Sequence, residues 1–270
     1  MAILNKDMTL CISLSERPSN NGTRFHNHLY EQLELNWIYK AFRPTDLRDA
    51  IAGVRGLGIR GCAVSMPHKE SVIELVDHLT ESAAAIASVN TIVNDDGVLT
   101  AYNTDFLAVA QLVQDLDTAL PVAVRGSGGM AKATVAALKS VGFANVTVVA
   151  RNAERGNALA DQYGFAYSAE VPAGSGLLIN VTPVGMAGGD GEGQLSFTHE
   201  QIVAASVVFD VVAMPAETPL IEAGRAAGKR VITGAEVQTI QALEQFVLYT
   251  GIRPSEDQVA AAQDFMRAEA

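Results

Sequence analysis

The hydrophobic positions of this chain fall into two alternating kinds of segment. Short runs rich in Val, Ile and Leu are separated by longer stretches whose apolar residues recur every three to four positions. That alternation predicts α/β architecture. In the first hundred residues it predicts strands over 9–13, 37–41 and 61–65, and helices over 24–35, 45–57, 68–76 and 82–87. A hairpin follows, its strands 91–93 and 98–102 joined by Asn94-Asp95-Asp96-Gly97, residue types that tolerate the positive φ of a tight turn. A new unit starts after Asp105. It reads as helix 106–116, strand 122–124, a glycine cluster, helix 132–141 stopped by Gly142, and strand 146–150. Further strands at 176–180, 207–212 and 230–233 are separated by helices, and the last helices, 237–249 and 256 to the end, precede no strand. The pattern therefore predicts a first α/β domain built from residues 1–104 and 238–270, interrupted by a doubly wound domain over 105–237.

Composition narrows the classes. Hydrophobic residues make up 49% of the 270 and charged ones 18%, enough for a buried core and unlike a disordered chain. Lys and Arg number 19 against 30 Asp and Glu, a net charge of −11 that argues against a nucleic-acid partner, because phosphate neutralisation needs a basic face. Cys11 and Cys62 cannot form a disulfide framework and lack zinc-ligand spacing. His26-Asn27-His28 points two rings to different helix faces, so no metal site is expected there. Lys6 and Asp7 interrupt what would be the apolar core of a secretory leader, and no apolar run approaches the roughly 20 residues of a membrane span. A cytoplasmic protein with no membrane partner is the expectation.

The strongest chemical signal is in the second unit. Gly126, Gly128 and Ala131 fit G-x-G-x-x-A between a strand and a helix, the context of a dinucleotide site. Gly126 allows the tight turn, Gly128 lets backbone approach a pyrophosphate, and Ala131 allows close helix–strand packing; the helix N-terminus then faces the phosphates. Sites that prefer NAD carry an acid at the end of the next strand. Here that position reads Val149-Ala150-Arg151-Asn152, with Arg155 four residues past Arg151, a pattern that favours the 2′-phosphate of NADP. Pairing of Arg151 with Glu154 on the surface is the alternative.

The first unit offers other candidates. Ser65-Met66-Pro67-His68-Lys69 follows a strand and opens the expected helix, and a cation there does little for helix stability but suits proton transfer; a solvated helix lysine is the alternative. Asn90, Asn103, Thr104 and Asp105 flank the hairpin as site groups or as ordinary caps. Ser13 and Ser15 end a strand with two hydroxyls on one side, able to hold an anion or to cap a loop. Residues 185–193 read as a mobile glycine-rich loop. No G-x-S-x-G elbow and no Walker A lysine are present, which disfavours α/β-hydrolases and nucleotide hydrolysis.

Taken in order, Ser13/Ser15, SMPHK (65–69), SVNT (88–91), AYNTD (101–105), GSGGMAKA (126–133), NVTPVGM (180–186), ETPL (217–220) and QALEQF (241–246) resemble the shikimate dehydrogenase family across nearly the whole chain. The resemblance implies an N-terminal substrate domain, a C-terminal Rossmann domain binding NADP, and an active site in the cleft between them. It implies an enzyme that interconverts shikimate and 3-dehydroshikimate in aromatic amino acid biosynthesis. The substrate would be a small cyclic hydroxy acid and the protein a monomer or homodimer. By similarity Lys69 and Asp105 are the catalytic pair, Ser13 and Ser15 hold the substrate carboxylate, and Ser65, Asn90 and Gln241 bind ring hydroxyls. Gly126, Ser127, Gly128, Gly129, Met130, Ala131, Arg151, Asn152, Arg155 and Thr182 would contact the cofactor.

The chain also departs from the family pattern. The family's Asn-Val-Thr is here Ala63-Val64-Ser65, and Ala213 stands where a tyrosine is usual. Glu236-Val237-Gln238 replaces Gly-Met-Leu, Ala150-Arg151-Asn152 replaces Asn-Arg-Thr, and extra residues separate Ser15 from His26. These changes mark a divergent, shikimate dehydrogenase-like subclass that keeps the catalytic pair and alters the shell around the substrate. Quinate or another cyclic polyol acid is the alternative substrate, and a catalytically silent NADPH sensor is the alternative class.

Overall fold

Strand β1 (Thr9–Leu14) sends Ile12 and Leu14 to one face of a sheet and Cys11 to the other, and all three are buried. A strand covered on both sides needs a layer of helices on each. The computed structural model describes residues 4–268 and supplies both layers.

After β1 come α1 (Asn21–Gln32), β2 (Trp37–Phe42), α2 (Leu47–Gly56), β3 (Gly61–Val64), a short 3₁₀ helix (Ser71–Leu75), β4 (His78–Leu79), α3 (Glu81–Ile86), β5 (Thr91–Asp95) and β6 (Val98–Tyr102). The six strands order as β2-β1-β3-β5-β6-β4. β1 runs parallel to β2 and β3, and β5 is antiparallel to both β3 and β6. On the Ile12 face, Ile51 and Val54 of α2, Val72 and Ala83 close the core. On the Cys11 face lie Phe25, Leu29 and Tyr30 of α1 with Phe246, Tyr249 and Met266 from the end of the chain.

The chain continues through α4 (Thr104–Val113), β7 (Val122–Arg125), α5 (Gly129–Val141), β8 (Val146–Val149), α6 (Ala153–Tyr163), β9 (Ala166–Ser168), β10 (Leu177–Asn180), α7 (His199–Ala204), β11 (Val207–Asp210), α8 (Pro219–Ala226), β12 (Arg230–Ile232), α9 (Gly234–Thr250) and α10 (Glu256–Arg267). Strands β7 to β12 pair in parallel in the order β12-β11-β10-β7-β8-β9, the doubly wound arrangement with β7 at the point where strand order reverses. The chain divides into two compact units, residues up to Thr104 plus those from Thr239 on, and Asp105 to Gln238.

Several expectations need correction. The helix predicted over 68–76 does not form. The Lys69 carbonyl accepts a hydrogen bond from Val89 N–H (2.8 Å) and is lost to the helical ladder, so Ile73 N–H turns to Glu70 O (3.2 Å) and the segment settles into turns and the short 3₁₀ helix. The helix-end argument for Lys69 falls with it. Helix α5 starts at Gly129, three residues before the expected start at 132, and α9 starts at Gly234 rather than 237. The two- and three-residue strands β4 and β9 are too short to show a period in sequence. The final helix ends at Arg267, and the last two residues, expected to be helical, lie outside those described. Residues 185–193 fold into consecutive turns, with Gly185 N–H donating to Gly191 O (2.8 Å) and Ala187 N–H to Met214 O (2.9 Å).

At Gly234 a side chain has no room. An added Cβ would sit 2.2 Å from the Val212 carbonyl oxygen and 2.3 Å from its carbon. Because those atoms are backbone and cannot swing aside, Gly234→Ala is expected to cost about 2–3 kcal/mol, read as a lowered denaturant midpoint. An unchanged midpoint would show that this close approach is not retained in solution.

Candidate active site

The candidate residues of the first unit gather at the C-terminal ends of β1 and β3. Ser65 N–H donates to Leu14 O (2.9 Å), Val64 N–H to Asn90 O (2.8 Å) and Val89 N–H to Lys69 O (2.8 Å). Backbone bonding alone thus brings Ser13, Ser15, Ser65, Lys69 and Asn90 to one edge of the sheet. Ser13 and Lys69 are half-buried and Ser65 is exposed. Ser15 Oγ accepts from Arg17 N–H (3.2 Å), so this hydroxyl caps the following turn. Gln245 on α9 donates to Asn90 O (3.3 Å) and Thr91 Oγ1 (3.1 Å), which docks α9 on this edge. Gln241, one turn earlier, lies on the same helix face.

Asn90 is the most constrained member. Fully buried, its Oδ1 accepts from Thr104 N–H (2.8 Å), Thr104 Oγ1 (3.2 Å) and Thr91 Oγ1 (2.9 Å). Those bonds cap the start of α4 and fix the amide, so its NH₂ must face the opposite way. That Nδ2 is buried with no partner among the described residues. An orphaned buried donor costs roughly 1–3 kcal/mol, the situation expected of a group that a ligand will satisfy. Asp105, 6% exposed, occupies the first turn of α4 in the second unit.

In the second unit, Gly126 has φ +134°, and a Cβ there would lie 2.7 Å from Val181 Cγ2. Gly128 and Gly129 face open space, Ser127 links the turn to them, Met130 sits in the first turn of α5, and Ala131 is fully buried beneath. Helix α5 therefore begins with uncovered glycine backbone and free N–H groups, which is what a pyrophosphate requires. Arg151 and Arg155 are exposed at the start of α6. Neither forms an ion pair among the described residues, so the surface pairing of Arg151 with Glu154 is not made. The Asn152 side chain accepts from Arg155 N–H (2.9 Å) and caps α6. Thr182 donates to Asn180 Oδ1 (2.6 Å). These residues fit a 2′-phosphorylated dinucleotide.

Sequence reasoning missed the group that organises the loops after β10 and β11. Asp210, fully buried, accepts from Thr218 Oγ1 (2.7 Å), Asn180 Nδ2 (3.0 Å) and Val212 N–H (3.0 Å). Desolvation outweighs those donors and pushes its carboxyl up to about 6. An acid directly after the apolar run Val207-Val208-Phe209 was the available signal. His26 and His28 are not paired with each other: His26 stacks on Tyr39 with centroids 4.4 Å apart, and His28 stacks on Phe265. No helix among the described residues is long and apolar enough to cross a membrane.

Comparison with known proteins agrees with this geometry. Residues 20–92 match the family model of the shikimate dehydrogenase substrate binding domain. The chain is 53% identical over 270 residues to the shikimate dehydrogenase-like protein of Haemophilus influenzae, covering 99% of this chain and 100% of that one. It is 36% identical over 234 residues to the shikimate dehydrogenase (NADP(+)) of Oleidesulfovibrio alaskensis, covering 84% of each. Among solved structures, the shikimate 5-dehydrogenase of Thermus thermophilus in complex with NADP(H) and shikimate superposes with a TM-score of 0.84 at 26% identity, covering 96% of this chain and 99% of that one. With one relative matched end to end and a second over most of its length, this chain belongs to the shikimate dehydrogenase family.

Proposed function

We propose that this protein is an NADP-dependent oxidoreductase interconverting shikimate and 3-dehydroshikimate. The observation that carries the reading is Asn90, whose buried amide is locked by Thr104 and Thr91 with its NH₂ left for a ligand hydroxyl. Shikimate offers hydroxyls for that donor, for Ser65 and for Gln241, and a carboxylate for Ser13 and Ser15. Bound NADP supplies the hydride chemistry at its nicotinamide. The chain's own residues orient the substrate and move the proton. Lys69 gives or takes the proton of the reacting hydroxyl, and Asp105 assists that transfer. Gly126 to Ala131 receive the pyrophosphate, Arg151 and Arg155 the 2′-phosphate, and Thr182 flanks the cofactor. The unit containing residues 1–104 takes the substrate, and the unit over 105–238 takes NADP.

The departures Ala63 and Ala213 remove an amide and a phenol that the family pattern would place around the substrate. They support a second reading, in which another cyclic polyol acid such as quinate is the preferred substrate. The test is turnover of purified protein with shikimate, quinate and related acids at fixed NADP, followed by absorbance of the reduced cofactor. Shikimate turnover is expected, and Arg151→Ala should weaken NADP by roughly tenfold or more while leaving NAD little changed. Tight NADPH binding with no turnover of any acid would instead make the protein a sensor.

A further inference from the structure

The second unit carries an arginine that the reading above leaves without a task. Arg125 is the last residue of β7, directly before Gly126. Two positions earlier on the same face, Ala123 is buried in an apolar cluster with Val149, Leu178 and Phe197. The strand face that is apolar at Ala123 thus ends in a cation. Arg125 is half-buried; its guanidinium donates to the Ser196 carbonyl and lies 5.9 Å from the Phe197 ring centroid. A guanidinium has five N–H donors. One is used on Ser196, and no carboxylate pairs with Arg125 among the described residues.

Its neighbour across the ladder is Val149, the last residue of β8, and Arg151 follows two residues later. The two arginines lie near enough for their charges to oppose each other: burial first, and then the charge of Arg151, hold the Arg125 guanidinium below its ordinary range. A half-buried cation set beside another, with donors to spare and no acid between them, is costly until an anion arrives.

We propose that Arg125 is a third arginine of the cofactor's 2′-phosphate subsite, reaching it from the sheet side while Arg151 and Arg155 reach it from the start of α6. It deepens, and rests on, the reading that this unit binds NADP. Discrimination then has a repulsive part. NADP brings the dianion that relieves the Arg125–Arg151 opposition, whereas NAD leaves the two cations uncompensated.

The test compares NADPH and NADH binding to the full-length protein for wild type, Arg125→Met, Arg125→Gln and Arg151→Ala. Arg125→Met is expected to weaken NADPH by roughly tenfold to hundredfold and to leave NADH unchanged or tighter. Arg125→Gln keeps a donor for Ser196 without the charge and should behave alike, so a misfolded methionine variant does not block the test. Equal loss of both cofactors would mean that Arg125 only supports the Ser196 loop, and unchanged NADPH binding would mean that it faces no phosphate; either result overturns the proposal. If Arg151→Ala loses NADPH preference while both Arg125 variants keep it, this inference fails and the NADP reading stands. A wild type with no preference for NADPH overturns both.

Discussion

Lys69→Ala is expected to lower kcat by about 10²–10⁴-fold, the usual worth of a positioned proton donor and acceptor. The fold should survive, because the structural bond at this position is made by the Lys69 carbonyl to Val89 N–H, and alanine keeps it. NADPH affinity and the denaturant midpoint should therefore stay close to wild type. Asp105→Asn should also lose turnover, and the double variant should fall little further than the worse single one, since two residues serving one proton transfer are not additive. Steady-state kinetics on the four proteins measures this directly. Full activity in Lys69→Ala would remove the lysine from the chemistry.

Acidification is expected to act on the two units in opposite directions. His26 is fully buried among Phe25, Tyr30, Tyr39, Phe246 and Tyr249, with neither ring nitrogen hydrogen-bonded. Burial drives its imidazole down to about 3 from an ordinary 6.5. A depressed histidine contributes stability that is whole above the unfolded value of 6.5 and is lost as pH falls toward the folded one. Between pH 7 and 3.5 the first unit should lose on the order of 4 kcal/mol through this group alone. Asp210, in the second unit, is raised to about 6 from 3.8. Its stabilising contribution is present below 3.8 and disappears as pH rises through 6, so the second unit should gain up to about 3 kcal/mol over nearly the same window. Hydrogen exchange resolved by segment at pH 7 and pH 4 reads the two units separately. His26→Phe should flatten the pH response of the first unit and Asp210→Asn that of the second. Identical pH dependence in wild type and His26→Phe would mean that the imidazole is not held neutral.

What could be read from sequence was the chemistry whose causes are local. Strands β7, β8, β10 and β11 announce themselves as β-branched runs because a parallel sheet covered on both faces tolerates little else. The glycine turn is legible because Gly126 alone can take its backbone angle beside Val181. What stayed hidden depends on partners distant in sequence. The 68–76 segment has helical spacing, and the bond from Val89 to the Lys69 carbonyl, twenty residues along the chain, competes with the helix. The orphaned amide of Asn90 follows from Thr104, and its docking from Gln245, 155 residues away. Arg125 reads as the polar end of a strand until its position beside Arg151 and over Phe197 is seen. Asn152, expected at the cofactor, also has a local task as the α6 cap.

The first unit's core has a further consequence, for the order in which the protein is made. Cys11, Phe25 and Tyr39 pack against Phe246, Tyr249 and Met266, and Arg24 donates twice to the carbonyl of Phe265. A ribosome delivers those partners only after the whole second unit. The second unit, continuous from Asp105 to Gln238, can complete its sheet while the opening hundred residues still present an uncovered apolar layer. Until Phe246, Tyr249 and Met266 arrive, that layer has no cover, so a chain lacking them would carry a finished second unit and an aggregation-prone first one.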